Sequence, residues 1–146
     1  MIRVNYFVIA LVFVVAFVAS SVWYSPLLFG REFLELSGVS ASTGPNPVKI
    51  LCELIRTFIL AYVIARLVLR LNVSSTKAAV ELGLWLWIGF PVILLTGSML
   101  WQNVPWKLAA IHAGDWLIKI LLFTGTVRWW RKDRRIVTPA PAVDSN

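Results

Sequence analysis

Four long apolar stretches constrain the fold of this 146-residue chain more than any other feature. They cover about residues 4–23, 47–71, 76–100 and 105–127. Each reaches the ~20 residues that a helix needs to cross a hydrocarbon core of ~30 Å. Backbone N–H and C=O groups cannot stay unpaired in lipid, and four stretches are too few to close a β-barrel. We therefore predict an all-α polytopic membrane protein with four transmembrane helices in an antiparallel bundle.

The composition supports this class and argues against others. Apolar residues make up 59% of the chain, and the eight Trp and eight Phe suit a lipid-facing surface with wet edges. The net charge of +7 comes from basic residues between and after the apolar stretches, which is typical of cytoplasmic membrane loops rather than of nucleic-acid binding. A single cysteine, Cys52, excludes a disulfide within the chain, and a single histidine excludes a two-imidazole metal site within one chain.

The Lys and Arg residues indicate the orientation of the predicted bundle. The side that holds both termini carries most of them, among them Arg128, Arg131, Lys132, Arg134 and Arg135. The other side carries Arg31, Lys49 and Lys107. Positively charged loops stay inside, so we expect both termini in the cytoplasm. The cluster after residue 127 should bind anionic lipid headgroups. We expect residues 1–130 to form the membrane domain and 131–146 a basic segment with a disordered tail.

Caps and prolines predict where the helices begin, end and bend. Asn46-Pro47 should start the second span, because Asn caps a helix well and Pro fits its first position; Asn103-Val104-Pro105 should start the fourth in the same way. Asn72-Val73-Ser74-Ser75 should end the second span and cap the third within a tight cytoplasmic turn, so these two spans should be antiparallel neighbours. Pro91 removes a backbone donor inside the third span, where we expect a kink between Trp87 and Pro91.

The first apolar stretch has two interpretations. Arg3, the apolar run and the small residues 19–21 also fit a cleavable signal peptide. The run is long for that, and Trp23-Tyr24 supply an interfacial anchor at its far end, so a retained span is favoured. The loop that follows begins with an apolar segment from Pro26 to Leu36, which we expect to lie in the membrane interface as a short helix or turn.

Three motifs resemble one family of small bacterial membrane proteins. They are Trp23-Tyr24-Ser25-Pro26-Leu27-Leu28-Phe29-Gly30, the stretch Leu82-Gly-Leu-Trp-Leu-Trp-Ile-Gly-Phe90, and His112-Ala-Gly-Asp-Trp-Leu-Ile-Lys119. From about residue 5 to residue 127 the chain is similar to the four-span proteins catalogued as domain of unknown function 1761. The first motif is the most specific, through Trp23, Tyr24, Pro26, Phe29 and Gly30. The resemblance implies four helices in a bacterial inner membrane and brings no activity with it.

Ionisable residues inside the spans are the candidate functional site. His112, Asp115 and Lys119 share one face of the fourth span, within roughly 60° at ~100° per residue. A charge in hydrocarbon costs several kcal/mol, so this face should meet protein or water. Matching depths along the spans, we predict the pairs Glu53/His112, Arg56/Asp115 and Glu81/Lys119.

These pairs have two interpretations. They can fix which span packs against which, or they can form a proton or ion relay or a polar solute site. Lys119 and Glu81 can instead extend to the membrane interface. A lone His112 near Gly114 can also ligate haem or chlorophyll across a dimer, but nothing else in the sequence supports a pigment site, and we expect no cofactor.

Other features separate the function classes. Phosphate-binding loops, Gly-x-Ser-x-Gly and His-Glu-x-x-His are absent from the sequence, and Asp115 with His112 lacks an adjacent nucleophile, so we do not expect an enzyme. Trp85, Trp87 and Trp116 lie at depth and should fill core or lipid-facing volume, or line a ligand cavity or partner surface. Small residues four apart, such as Ala109/Ala113, allow close helix packing within one bundle or between copies.

Two functional hypotheses remain. The first is a small transporter or permeation unit for protons, ions or a small solute, which works as an oligomer and uses Glu53, Arg56, His112 and Asp115. The second is a non-catalytic accessory subunit of a larger membrane complex. A cavity reached by water at the charged residues favours the first, whereas a dry, fully paired cluster and a large exposed aromatic face favour the second.

Overall fold

A computed structural model describes residues 6–39 and 46–137, with side chains described as far as residue 130. Throughout these residues the regular structure is helical, which confirms the all-α prediction. The helices are α1 (Tyr6–Trp23), α2 (Gly30–Ser37), α3 (Pro47–Arg70), α4 (Thr76–Trp87), α5 (Ile93–Gln102) and α6 (Trp106–Val137). The side chains of Arg131, Lys132, Arg134 and Arg135 and the predicted disordered tail lie outside the described residues.

Side-chain caps begin α3 and α4 as the sequence predicts. The Asn46 side chain accepts hydrogen bonds from the Val48 and Lys49 amides at 2.9 and 3.4 Å, with Pro47 at the first helical position. The Ser75 hydroxyl accepts one from the Ala78 amide at 3.1 Å. Both caps accept hydrogen bonds from backbone amides of the first helical turn, which have no carbonyl partner within the helix. The sequence alone therefore locates these two helix starts.

The expectation that Asn103 caps α6 is wrong. Asn103 has φ of +55° and ends α5, and α6 begins only at Trp106. Asn enters the left-handed region more easily than most residues, because its short polar side chain can bond locally. Its φ turns the chain sharply, and the Val104 amide donates back to the Ser98 carbonyl at 3.3 Å. The residue thus terminates one helix instead of starting the next.

Pro91 lies in a π-helical turn, Ile88–Val92, that connects α4 to α5. Proline has no N–H to donate and its ring crowds the preceding turn, so a wider turn relieves the clash without ending the helix. The path from Thr76 to Gln102 therefore stays helical throughout. A local widening of the helix therefore lies at the position where the sequence predicts a kink.

Helix α6 is the centre of the structure, because α1, α3 and α4 each pack against it. α1 and α3 also pack against each other, and α2 contacts α6. The prediction that the second and third spans are packed neighbours is wrong, since α3 and α4 have no extensive contact despite the tight turn between them. Both helices instead find their partner surface on α6, which lies between α4 and the α1–α3 pair.

The two ends of the bundle differ in character. We call them the Ser74 end and the Tyr24 end, after the exposed Ser74 and the half-buried Tyr24 that lie there. The apolar core lies toward the Ser74 end, where Phe123, Ile9 and Val68 are almost completely buried. The ionisable and hydroxyl side chains that line a cavity, among them Ser20, His112 and Asp115, lie toward the Tyr24 end. The core therefore holds the helices together at one end and leaves the other end free to form a cavity.

Within the described residues, three helical stretches have the length and the apolar composition needed to cross a membrane. They are Tyr6–Trp23, Thr76–Gln102 and Trp106–Trp130. α3 is also long, at 24 residues, but it carries Lys49, Glu53, Arg56, Arg66 and Arg70. Composition therefore indicates a membrane protein with three candidate spans. The second predicted span, residues 47–71, coincides with α3, which is not among these three stretches.

The loop after α1 contains the predicted short helix. Residues 25–29 turn, and α2 follows with one apolar and one charged face. α6 continues beyond residue 127 to Val137, so the basic segment begins as a helical extension of the bundle.

Candidate functional site

The motif at residues 23–30, here the 23–30 motif, attaches the end of α1 to the first turns of α6. The Trp23 indole N–H donates to the Ile111 carbonyl at 3.0 Å. The Tyr24 hydroxyl lies 2.7 Å from Nδ1 of His112. Trp23 also packs on Phe29, with 4.6 Å between the ring centroids. The polar groups of Trp23 and Tyr24 therefore form hydrogen bonds within the protein.

Glycine is required at two places in this attachment. A Cβ on Gly30 would lie 2.5 Å from the Tyr24 carbonyl oxygen and 2.7 Å from the Ser25 carbonyl, both of them backbone atoms that cannot move aside. The Gly30 amide donates to that Ser25 carbonyl at 3.0 Å. A Cβ on Gly114 would lie 2.5 Å from the Trp23 ring. The close approaches explain why the 23–30 motif ends in glycine; its Pro26 is exposed in the turn.

His112 lies among aromatic rings at the Tyr24 end. Its ring centroid is 5.9 Å from Tyr24 and 5.8 Å from Phe33 of α2. Burial raises the pKa of the Tyr24 phenol, so this group keeps its proton at neutral pH and can donate to an unprotonated Nδ1. The predicted pair of His112 with Glu53 is wrong, because Tyr24 of the 23–30 motif is the hydrogen-bond partner of the imidazole.

Asp115 and Lys119 form an ion pair along one face of α6. The Lys119 ammonium lies 2.8 Å from Asp115 Oδ2, and both side chains are almost completely buried, with 6% and 7% exposed. The Ser20 hydroxyl of α1 donates to the other Asp115 oxygen. The prediction that the charged face of α6 meets protein rather than lipid is consistent with this burial.

Glu53 joins α3 to this pair. Its carboxylate lies 3.4 Å from the Lys119 ammonium and 2.6 Å from the Arg56 guanidinium. The Thr57 hydroxyl, one turn along α3, donates to Glu53 at 3.4 Å. The predicted pair of Arg56 with Asp115 is therefore wrong: Arg56 binds the carboxylate on its own helix, three residues earlier. Glu53, Arg56, Asp115 and Lys119 are called the charged cluster below.

Glu81 is separate from the charged cluster, so its predicted pair with Lys119 is also wrong. It is exposed on α4 and lines a shallow groove with Lys77 and Trp85. α4 packs on a different side of α6 from α3, so equal depth along the bundle did not bring Glu81 and Lys119 together. Matching by depth fails because it carries no information about direction around the helix axis.

A cavity of about 810 Å³ opens beside the charged cluster at the Tyr24 end. This volume is within the range of small-molecule sites, ~300–1,000 Å³. Its wall contains all four residues of the charged cluster and His112. The remaining lining residues are Phe17, Ser20, Ser21, Tyr24, Phe33, Lys49, Ile50, Thr57, Leu95 and Trp116. The cavity is open, because 60% of the Arg56 side chain and 37% of the Glu53 side chain are exposed.

The three tryptophans predicted to lie deep within the spans, Trp85, Trp87 and Trp116, have different surroundings. Trp116 lines the cavity beneath the Arg56 guanidinium, 5.6 Å from its ring centroid, which is a cation–π distance. The Trp87 indole donates to the Ala113 carbonyl at 2.8 Å and joins α4 to α6. Trp85 is exposed on the α4 groove. One of the three thus lines a candidate ligand cavity, as one interpretation of the sequence proposes.

Sequence reasoning missed several cavity residues. In the sequence, Ser20 is one of the small residues at the end of the first span, Lys49 contributes only to the charge of one side, and no motif marks Thr57 or Phe33 as site residues. Thr57 lies four residues after Glu53, so helical spacing could have found it. Phe33 could not be found in this way, because the turn at residues 25–29 decides where α2 lies. Arg128, predicted to bind headgroups, is half-buried at the other end.

The arrangement offers paired charges and hydrogen-bonding groups beside an open volume. Across residues 6–39 and 46–137, no group of three or more His, Cys, Asp or Glu side chains is placed to hold a metal ion. The two carboxylates and three cationic side chains can bind a polar solute or exchange protons with water in the cavity.

The family model described as Protein of unknown function (DUF1761) matches residues 7–127. The chain belongs to this family. The match spans α1 to most of α6 and therefore includes the 23–30 motif and the whole charged cluster. No curated protein and no solved structure matches the chain.

Proposed function

We propose that this DUF1761 protein is a small permeation unit of the bacterial inner membrane that passes protons, ions or a small solute through the cavity at the charged cluster. The observation that carries the proposal is that buried charges border an open volume instead of a dry packed core. Charged groups inside membrane helices are costly and usually serve ion or substrate pathways. The protein would be non-enzymatic, hold no resident cofactor, bind no nucleic acid, and act as a homo-oligomer in the lipid bilayer.

The proposal includes α3 as a fourth crossing with both termini in the cytoplasm. At ~1.5 Å per residue, 24 residues span about 36 Å, enough for the hydrocarbon core. Two of its charges are neutralised inside the bundle, since Glu53 binds Arg56 and Lys119. Arg66 and Arg70 lie in its last turns and can extend to headgroups. The charged side chains that distinguish α3 from the three apolar helical stretches are thus compatible with a helix that crosses the membrane.

A flux measurement tests the permeation function. The purified protein is reconstituted into sealed liposomes, and dissipation of an imposed pH gradient, and of K⁺ and Na⁺ gradients, is followed with indicator dyes. We expect dissipation above empty liposomes for the native chain, loss of it in Asp115→Asn, and none of that loss in Glu81→Gln, whose carboxylate lies outside the cavity. Equal rates for the native chain and Asp115→Asn would contradict the proposal.

A second candidate is an accessory subunit, and the groove on α4 favours it. Trp85 is 67% exposed there beside Lys77 and Glu81, with a volume of about 670 Å³. Exposed tryptophan with flanking charges is common at protein interfaces. Purification at native expression level in mild detergent would test this role. Stoichiometric recovery with one larger membrane complex, together with no flux, would favour it over permeation.

A further inference from the structure

We infer that the solute bound by the cavity is a small organic anion, a carboxylate with an apolar or aromatic body. This inference rests on the proposed function, since it names the solute class for the same cavity. It follows from which charges in the wall are already neutralised, and from what surrounds the ones that are not.

The two carboxylates of the cavity have their bonding capacity largely filled. Asp115 accepts from Lys119 at 2.8 Å and from Ser20. Glu53 accepts from Arg56 at 2.6 Å, and from Lys119 and Thr57 at 3.4 Å. A cationic ligand would have to displace these donors to reach a carboxylate. Because the displaced ammonium or guanidinium would then be left unpaired, binding of a cation is disfavoured.

The cationic side chains at the mouth of the cavity form fewer ion pairs and hydrogen bonds. A guanidinium carries five N–H donors, and Arg56 uses one terminal nitrogen on Glu53 while most of its side chain stays exposed. Lys49 lies in the first turn of α3, where no carboxylate of the described residues forms an ion pair with it. The wall holds three cationic side chains against two carboxylates. Arginine can bind a carboxylate through two parallel hydrogen bonds, which suits it as the main anchor.

The rest of the wall selects the body of the ligand. The Trp116 ring lies directly beneath Arg56, so a group held by the guanidinium is adjacent to an aromatic face. Phe17, Ile50 and Leu95 complete an apolar surface. A simple inorganic anion would leave this surface wet, whereas an aromatic or short aliphatic carboxylate would cover it and gain from removing apolar area from water.

Equilibrium binding to the full chain in phosphatidylcholine nanodiscs tests the inference. Benzoate, benzylamine and benzyl alcohol have similar size and differ in charge, and titration into empty nanodiscs corrects for partitioning. We expect saturable binding of benzoate and none of benzylamine. Arg56→Gln should weaken benzoate binding by about tenfold or more, since charge-assisted hydrogen bonds are lost. Lys49→Gln should weaken it less.

Matched controls separate the site from the fold. Arg66→Gln removes the same charge from the same helix outside the cavity and should bind benzoate as the native chain does. Thermal unfolding of each variant checks that loss of binding is not loss of structure. Anionic phosphatidylglycerol added to the nanodiscs distinguishes the source of the anion: competition with benzoate supports a lipid occupant of the anion site, and its absence supports a soluble one.

Preferential binding of benzylamine would overturn the inference, and so would benzoate binding that Arg56→Gln leaves unchanged. Absence of binding by any probe while the flux remains dependent on Asp115 would refute the anionic class and leave the permeation function standing. Absence of both would refute both.

Discussion

At the scale of single residues, Lys119 lies almost completely buried between two carboxylates, Asp115 on its own helix and Glu53 on α3. Neither carboxylate can ionise cheaply in this position without a cation close by. Arg56 neutralises Glu53 from the exposed side, but for Asp115 the ion pair in the structure is the one with Lys119. The charge balance of the cavity wall therefore depends on the lysine.

We predict that Lys119→Met destabilises the protein by about 3–5 kcal/mol, the usual cost of removing one partner from a buried ion pair. The physical reason is that Asp115 would lose its counter-ion and retain the Ser20 hydroxyl as its remaining side-chain donor. Thermal or denaturant unfolding in a fixed detergent measures the change.

The double variant Lys119→Met/Asp115→Asn should recover part of the loss, because the uncompensated charge is removed. Lys77→Met, an exposed lysine on α4, serves as the control and should change stability little. A loss in Lys119→Met no larger than in this control would show that the ion pair contributes nothing to the fold.

At the scale of elements, α3 has the length of a transmembrane helix and the composition of a partly polar one. Its partners reconcile the two properties: along one side of α3, Glu53 binds Lys119 of α6, and Ala61 and Ala65 are buried in the core further along the helix. Composition treats all charges in a helix alike. Contacts distinguish those that meet a counter-ion from those that would meet lipid.

We predict that the two ends of α3 lie on opposite sides of the membrane. With the native Cys52 replaced by Ser, single cysteines are introduced as Val39→Cys before α3, Ser74→Cys after it, and Gln102→Cys at the end of α5. In right-side-out spheroplasts, a membrane-impermeant maleimide should label the first and third directly, because both positions are exposed and expected outside.

The cysteine at position 74 should react only after permeabilisation, which is the matched control for its reactivity. Labelling of positions 39 and 74 from the same side would mean that α3 does not cross. The three-span count given by composition would then be the correct one.

At the scale of the whole molecule, the bundle is packed at the Ser74 end and open at the Tyr24 end. Phe123 and Val127 of α6 fill the packed end together with residues of α1 and α3. Among the described residues, no buried member of this core lines the cavity. Passage of a solute would need the core to part, whereas protons need only a chain of polar groups.

We predict that Phe123→Ala destabilises the protein by about 3–5 kcal/mol, since Phe123 is 1% exposed and its removal leaves a cavity in the core. Phe90→Ala is the control, because Phe90 is exposed in the π-helical turn and leaves no cavity within the chain. Thermal unfolding of both variants under identical conditions measures the difference, and equal losses would refute a core at the Ser74 end.

The sequence by itself determined the helices and the presence of a polar face on α6. Apolar length, Asn46 with Pro47, and Ser75 act over a few residues, so local chemistry is sufficient to locate those elements. It also placed Asp115 and Lys119 on one face, because helical spacing is fixed. The family resemblance, including the 23–30 motif, was likewise readable from the residues.

Only the tertiary structure decided which charges meet. Depth along a bundle can be counted from sequence, but the direction in which a side chain points depends on how each helix is rotated and which neighbour it packs against. That is why Glu53 binds Lys119, His112 binds Tyr24, and Glu81 lies on another face. Those rotations follow from packing around α6 and from backbone contacts at Gly30, which no local pattern specifies.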